Sequence, residues 1–514
     1  MPSQSLKTKV ANGAVWTLLE KLSTQIVSFV VGMVLARLLT PNDYGTVALT
    51  GIFFAVAGVL VDGGFGDALI QKKDADDLDF NSVFYLNLLL SVVAYLVLFF
   101  AAPWIAKFYD TPVLTPIVRV SAICFIFNAV NAIQNAELVK KMLFNLSFRI
   151  SLITCVASAV CGITLACLGY GVWALVWTSL FGGAVGVAVR WFIIAWRPKF
   201  MFSCARLKPL FSYGWKMAVS GLLDATFANL NGLLIGRFYA KSDLAFVNKS
   251  NALPSLAMNQ INDTLGRVSF PALVLMQDDK KRLRDSMRRM MRCSTFLVFP
   301  LMVGIAVCSH SILRLLFGSQ WTPAAPYMML ACFTFALWPF HTINLKGIQA
   351  MGRSDVFLVL EVIKKTLALV VIVYAFRLGV LAWMAISAFA LGPLSVIINA
   401  WPNRKLLDYT LGMQLMDVFP TAMICGAEAV TLVVVGYVCD IVGVRFCIAE
   451  SGSPFMVFLS SKLLLQFVLG MMVFFGLAYI FRLKPMGEYA RMVAAVVGGR
   501  FPRIARILER RFNK

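Results

Sequence analysis

LARLLTPNDYGTV, Leu35 to Val47, has a counterpart two hundred residues on in IGRFYAKSDLAFV, Ile235 to Val247. Arg37 and Asp43 return as Arg237 and Asp243, and the same offset carries Gly32, Val47, Ala57 and Gly66 onto Gly232, Val247, Ala257 and Gly266. One offset that holds from Gly32 to Gly66 argues for duplication of a structural unit. The surrounding sequence says what kind of unit it is.

Hydrophobic residues make up 60% of the 514-residue chain, charged residues 14%, and the mean hydropathy is +0.80. Soluble chains carry about a quarter charged residues, so this composition describes a polytopic membrane protein. Met1 to Val10 is polar and basic, but the apolar run behind it is longer than a signal-peptide core and lacks a small-residue cleavage site. It is expected to remain as the first span.

Apolar stretches of about 20 residues, the length that crosses a ~30 Å hydrocarbon core, occur near 14–39, 46–69, 80–106, 113–136, 150–168, 172–195, 216–239, 247–275, 293–317, 323–351, 356–376, 380–401, 418–440 and 455–480. The offset of 200 lays the first two stretches on the seventh and eighth. An even number of crossings separates the copies, so they share one orientation. The expectation is an all-α integral membrane protein of about fourteen transmembrane helices: two six-helix lobes in parallel repeat, 1–199 and 200–405, two added helices in 406–481, and a basic tail, 482–514. A looser echo, LTPIVRVSAICF (Leu114–Phe125) against WTPAAPYMMLACF (Trp321–Phe333), extends the repeat. Repeats of membrane-spanning units are a transporter architecture, in which two halves rock about a site near the midplane.

With the N-terminus inside, and basic residues within three positions of a span end counted with the adjacent side, 31 of the 47 Lys and Arg fall on the cytoplasmic side, 8 on the other and 8 within spans. The net charge of +22 is therefore chiefly a topology signal that places both termini inside. Each basic cluster abuts a span and faces lipid headgroups, which argues against nucleic acid as the partner. The tail, with RIARILERRF, reads as a surface-lying amphipathic segment or a solvated terminus. Eleven cysteines form no CxxC pair. Cys439 and Cys447 flank an outward loop and are a candidate disulfide pair.

LARLLTPNDYG (Leu35–Gly45), DGGFGDALIQKK (Asp62–Lys73), GRVSFPALVLMQDDKKRLR (Gly266–Arg284) and LFGSQWTPAAPYM (Leu316–Met328), in that order, resemble bacterial polysaccharide exporters of the Wzx type. These belong to the multidrug/oligosaccharidyl-lipid/polysaccharide superfamily, and the similarity runs from about Leu6 to Lys405. The resemblance implies a flippase that moves undecaprenyl-pyrophosphate-linked oligosaccharide repeat units from the inner to the outer leaflet of the bacterial inner membrane. It implies no enzymatic chemistry and no cofactor. The lipid bilayer is one partner, and a polysaccharide polymerase and a chain-length regulator are expected as others. Two alternatives stay open: a drug or cation antiporter of the same superfamily, and a membrane glycan polymerase or ligase. An antiporter would favour acidic cavity residues over the mixed set found here, and a polymerase would need a large outward loop, whereas the longest, 441–454, has about fourteen residues.

Such a substrate needs a wet, partly cationic path. Ionisable groups inside spans mark it, because each costs several kcal/mol in hydrocarbon. They are Glu20 and Lys21, Asp62, Arg119, Asp224, Asp263 and Arg267, Lys346, Glu361, Lys364 and Lys365, Glu428, and Lys462. In the eighth stretch Asn248, Asn251, Ser255, Asn259, Asn262 and Asp263 recur at steps of three and four, which places them on one helix face, with Arg267 a turn beyond. That face is expected to line water; interhelical hydrogen bonding is the other use of such residues. Asp224, Asn229 and Asn231 give the seventh stretch a thinner polar face. In the eleventh, Lys364 lies about 12 Å into the membrane at 1.5 Å per residue. Glu361 is placed to neutralise one of Lys364 and Lys365 and leaves the other available for a phosphate.

The substrate-contacting candidates are thus Arg267, Lys364, Lys365, Lys21, Asn259 and Asp263, in a cavity between the two halves, and the ion-coupling candidates are Asp62, Asp224 and Asp263. Outward movement of about two negative charges gains roughly 4 to 5 kcal/mol per 100 mV, so export without ATP is energetically reasonable. DGGFGD lacks the strand and the GK[ST] of a phosphate loop and reads as a helix break. Gly169-Tyr170-Gly171 reads as a tight turn, and His341 as a packing residue or a proton relay.

Overall fold

The computed structural model describes residues 6–62, 69, 76–445 and 453–489, without the side chains of 6–12, 14, 62, 208–218, 220, 262–272, 354, 444–445 and 453. The glycine run after Asp62, Cys447 and the tail from Ala490 therefore lie outside the described residues, and the side chains of Asp62, Asn262, Asp263 and Arg267 do as well.

Every apolar stretch is largely helical in its described part. The long helical segments, some with a short break inside, are α1 Leu6–Leu38, α2 Pro41–Val61, α3 Asp77–Phe108, α4 Leu114–Lys140, α5 Phe144–Cys167, α6 Val172–Ile193, α7 Cys204–Phe238, α8 Lys241–Val274, α9 Lys280–Val307, α10 Ser319–Ala350, α11 Ser354–Ala375, α12 Val380–Leu407, α13 Leu411–Arg445 and α14 Ser453–Ile480, and a short helix, Ser309–Phe317, follows α9. Among the described residues, eleven are both long and apolar enough to cross a membrane. The three that are long without joining that set, α7, α8 and α11, are the helices whose polar faces the sequence singles out. This is an all-α multi-pass membrane protein.

The repeated Arg and Asp are helix-end charges. Arg37 and Arg237 stand in the last turns of α1 and α7, where a cation offsets the negative end of the helix dipole. Asp43 and Asp243 stand in the first turns that follow. At the first copy Thr40 Oγ1 accepts from the Asp43 N–H at 3.3 Å while Asp43 Oδ2 accepts from the Thr40 N–H at 3.0 Å. With Pro41 at the first helical position, TPND is a complete helix start.

Some helices bend. In α12 a π turn over Ser387–Leu391 directly precedes Gly392 and Pro393, because proline has no N–H to donate and its ring displaces the carbonyl four residues back. Between α5 and α6 the turn carries Gly169 at φ +82° and Gly171 at φ +52°, the left-handed region glycine enters without penalty.

The chain divides into two compact units, 1–245 and 246–514. The first packs α7 against α2 through small residues: a Cβ on Gly221 would meet Val59 at 2.9 Å, and one on Gly236 would collide with Leu49. Its core includes Val83, Phe84, Ile133 and Leu207. The second unit centres on Leu283, Met287, Met291, Phe340, Leu407 and Tyr409. Here the basic segment before the ninth apolar stretch is itself helical. Asp279 Oδ1 accepts from the Lys281 and Arg282 N–H groups at 3.1 and 3.0 Å, and Leu283, Met287 and Met291 bury one face at steps of four. The α9 helix thus begins thirteen residues before the stretch read as membrane-spanning.

Candidate functional site

In the first unit, Glu20 of α1 accepts hydrogen bonds from two hydroxyls one turn apart on α5, Ser147 at 3.0 Å and Ser151 at 2.6 Å. This anchors the carboxylate between helices. Lys21, about 100° further round the helix, is exposed on the unit surface. Arg119 donates to the Phe99 carbonyl at 3.2 Å and lies 4.3 Å from that ring's centroid, a local cation–π arrangement within the unit. Arg190 of α6 donates to Asn131 at 3.2 Å. Asp224 is exposed on α7, and Asn229 returns its amide to the Ala225 carbonyl at 2.8 Å. An exposed charge on a membrane helix has to meet water or a polar partner and not hydrocarbon. Lys21 and Asp224 are such groups.

In the second unit, the α8 polar face divides by chemistry. Asn251 and Ser255 bond back to the carbonyls of Val247 and Ala252 in their own helix, at 2.9 and 3.0 Å, so these bonds do not tie helices together. Asn248 and Asn259 are exposed. Lys249, which the sequence reading passed over, lies 4.4 Å from the Phe317 ring and 5.5 Å from Trp321. Its signal was the aromatic pair in LFGSQW, too far along the chain to be matched to it.

The α10, α11 and α12 helices assemble the polar cluster that charge-reading anticipated only in pieces. Lys364 donates to Glu361 at 2.6 Å, the ion pair expected one turn apart, with the lysine side chain 16% exposed. Lys364 also acts electrostatically on His341. His341 Nδ1 and the Asn399 amide are 2.9 Å apart, and the buried Asn399 Oδ1 has no hydrogen-bond partner among the described residues. Lys365 follows, half-buried. An acid, a lysine, a histidine and an unsatisfied amide oxygen on three adjacent helices can hold polar ligand atoms or ordered water.

Below this cluster the buried side chains of Asn344, Gln414 and Asn403 form one network. Asn344 Oδ1 accepts from Gln414 at 2.9 Å and Asn403 at 2.7 Å, while its own amide donates to Gln414 Oε1 at 2.8 Å. Asn399 and Asn403, four residues apart on α12, were the readable sign. Lys462 of α14 pairs with Asp440 of α13 at 2.6 Å. Glu428 stands near the middle of α13, about 26 Å from either end at 1.5 Å per residue. It is 3% exposed and forms part of the wall of an apolar cavity of about 520 Å³ with Phe296, Leu432 and Phe474, and its Oε2 has no partner among the described residues. A buried, unsatisfied oxygen costs roughly 1–3 kcal/mol. Glu428→Met is therefore expected to raise the apparent melting temperature in detergent, and an unchanged or lowered value would show that the carboxyl has a partner.

Compared with known proteins, residues 34–326 match a family model described as polysaccharide biosynthesis protein. The chain is 24% identical over 375 residues to the lipopolysaccharide biosynthesis protein WzxC of Escherichia coli (strain K12), covering 72% of this chain and 75% of that protein. It is 26% identical over 350 residues to the succinoglycan biosynthesis transport protein ExoT of Rhizobium meliloti (strain 1021), covering 68% and 71%. Its fold matches the lipid II flippase MurJ in an inward closed conformation with a TM-score of 0.65 at 12% identity, over 91% of this chain and 98% of that one.

Proposed function

The chain belongs to the polysaccharide biosynthesis protein family, and from that membership we propose that it is a flippase for undecaprenyl-pyrophosphate-linked oligosaccharide repeat units. It works in the bacterial inner membrane with both termini cytoplasmic, supplies surface polysaccharide assembly by alternating access, and hands its product to a polysaccharide polymerase and chain-length regulator. It is a transporter and not an enzyme. The observation that carries this reading is the family match across 34–326, combined with relatives named for polysaccharide biosynthesis and transport.

The repeat supports lobes at 1–199 and 200–405, with 406–481 and the 482–514 tail appended. The substrate path is assigned to Arg267, Lys364, Lys365, Lys21, Asn259 and Asp263, and ion coupling to Asp62, Asp224 and Asp263. Three features support the path: the exposure of Lys21 and Asn259, the polar face of α8, and the cluster of Glu361, Lys364 and His341. Lys364 is already paired, so within this reading it acts through Glu361, releasing or sharing its charge as pyrophosphate enters.

Deleting the gene should cause one lipid-linked oligosaccharide to accumulate on the cytoplasmic leaflet, and restoring the chain should clear it. Arg267→Ala, and Lys364→Ala with Lys365→Ala, are each expected to lower export per folded protein by one to two orders of magnitude. That is the effect of losing a charge-assisted contact of about 1.5–3 kcal/mol. Arg267→Lys should keep part of the activity, since charge survives while the bidentate geometry does not. Wild-type export in all three would remove these residues from the path.

A further inference from the structure

At one end of the second unit, where α13 begins and α14 ends, a cavity of about 630 Å³ has a charged rim and a greasy floor. Arg292, Arg482 and Lys484 supply the rim, and Ile424, Ala427, Leu477 and Phe481 the apolar wall. Asp417 is the one carboxylate in the lining, and it is already engaged. Arg288 donates to both its oxygens, at 2.8 and 2.9 Å, and the Tyr409 hydroxyl adds a third bond at 3.2 Å. Arg292 reaches Asp417 only at 3.5 Å, and its buried Nε has no acceptor among the described residues. The nearby Glu488 lies 3.5 Å from Arg289 and accepts from the Cys293 thiol at 3.1 Å. Arg482 and Lys484 have no described ion pair. The cavity therefore carries an excess of positive charge.

The placement is as informative as the charge. The α14 helix ends at Ile480, so Arg482 and Lys484 come just after the membrane-spanning segment, while Leu477 lies about one turn inward on α14 and Ile424 and Ala427 about four turns inward on α13. The lining thus changes from cationic at the headgroup level to apolar at the chain level. Arg482 also holds φ +50°, a backbone conformation that favours glycine. The bonds of Leu483 N–H to the Ala478 carbonyl and Arg482 N–H to the Tyr479 carbonyl, 3.0 and 3.3 Å, close the helix end around it. Glycine would suit this turn better, and an arginine stands there.

We propose that this cavity binds an anionic phospholipid, with its headgroup phosphate held by Arg292, Arg482 and Lys484 and an acyl chain running along Ile424, Ala427 and Leu477. Basic pockets between membrane helices at a bilayer surface suit such headgroups, which combine charge with an attached apolar chain. A free phosphate would use the cations and leave the apolar wall in water.

The test uses the full-length protein in detergent, with bound lipid read by native mass spectrometry after adding phosphatidylglycerol, phosphatidylcholine or glycerol 3-phosphate at equal concentration. Wild type is expected to retain phosphatidylglycerol at least tenfold over phosphatidylcholine and to ignore glycerol 3-phosphate. Arg482→Glu with Lys484→Glu should remove that preference, while Arg404→Glu with Lys405→Glu, an equal charge change at the end of α12, should keep it. Arg482→Gly covers the case in which the double variant does not fold, because it relieves the backbone while removing the charge. Its melting temperature without added lipid should hold or rise while phosphatidylglycerol retention falls severalfold. Equal retention of the two lipids, equal loss in the α12 control, or an unchanged preference in Arg482→Gly would overturn the proposal. Competition by glycerol 3-phosphate would assign the cavity to a soluble phosphate instead.

Discussion

Asp417→Asn is expected to destabilise the second unit by about 3 kcal/mol, the scale of breaking a buried ion pair while its partners remain. Asp417 is 5% exposed at its side chain and joins three groups from separate parts of the chain: Arg288 and Arg292 on α9 and Tyr409 ahead of α13. Asparagine keeps the shape and one oxygen. Its NH₂ group, however, would face guanidinium N–H groups, leaving donors opposed to donors and two arginines without a counter-ion. Denaturant or thermal unfolding in detergent, followed by near-ultraviolet dichroism, would show the loss as a fall of several degrees, at roughly 2–4 °C per kcal/mol for a unit of this size. Arg288→Met on top of Asp417→Asn should recover part of it by removing one stranded cation. A melting curve for Asp417→Asn that overlays wild type would mean that solvent already screens the pair.

The second large effect is expected at Asn344. Its amide exchanges bonds with Gln414 in both directions and accepts from Asn403, and all three residues are 0% exposed. Asn344→Leu fills a similar volume and strands both polar ends of the buried Gln414 amide, each worth roughly 1–3 kcal/mol when unsatisfied, while Asn403 keeps only its 3.2 Å bond to the main-chain carbonyl of residue 344. A total of about 3 kcal/mol and a marked fall in folded yield are the expected outcome. The triple change Asn344→Leu, Asn403→Leu, Gln414→Leu removes every stranded group and should be more stable than the single variant, since replacing all partners of a polar network is far milder than breaking it. If the single and triple variants melt in the reverse order, the network is not what joins α10, α12 and α13.

Much of this architecture was legible along the chain. Hydropathy marks membrane helices because hydrocarbon cannot satisfy backbone groups, so each crossing must be one long apolar helix. The 200-residue repeat was visible because helix ends impose local chemistry: a basic residue in one last turn, Arg37 or Arg237, and an acid in the next first turn, Asp43 or Asp243. A pair between Glu361 and a lysine one turn on was equally readable, while the choice of Lys364 over Lys365 was not. The α9 start was misplaced because hydropathy sees only the membrane part; the cap at Asp279 and the Leu283, Met287, Met291 stripe show a helix that begins among its charges.

What the sequence by itself determined, then, is the set of interactions that act over a few residues: spans, helix ends, polar faces and the recurrence of one unit in another. Tertiary structure alone decided which distant groups meet. Glu20 finds Ser147 and Ser151 across 127 and 131 residues, and Arg288 finds Asp417 across 129. Asn344 joins Gln414 across 70 and Asn403 across 59. No periodicity encodes such partners, because helix geometry fixes only neighbours three or four residues apart. Longer-range pairing follows from which helices pack side by side, and that is settled by the fit of whole surfaces, such as Gly221 against Val59, rather than by any one residue's preference.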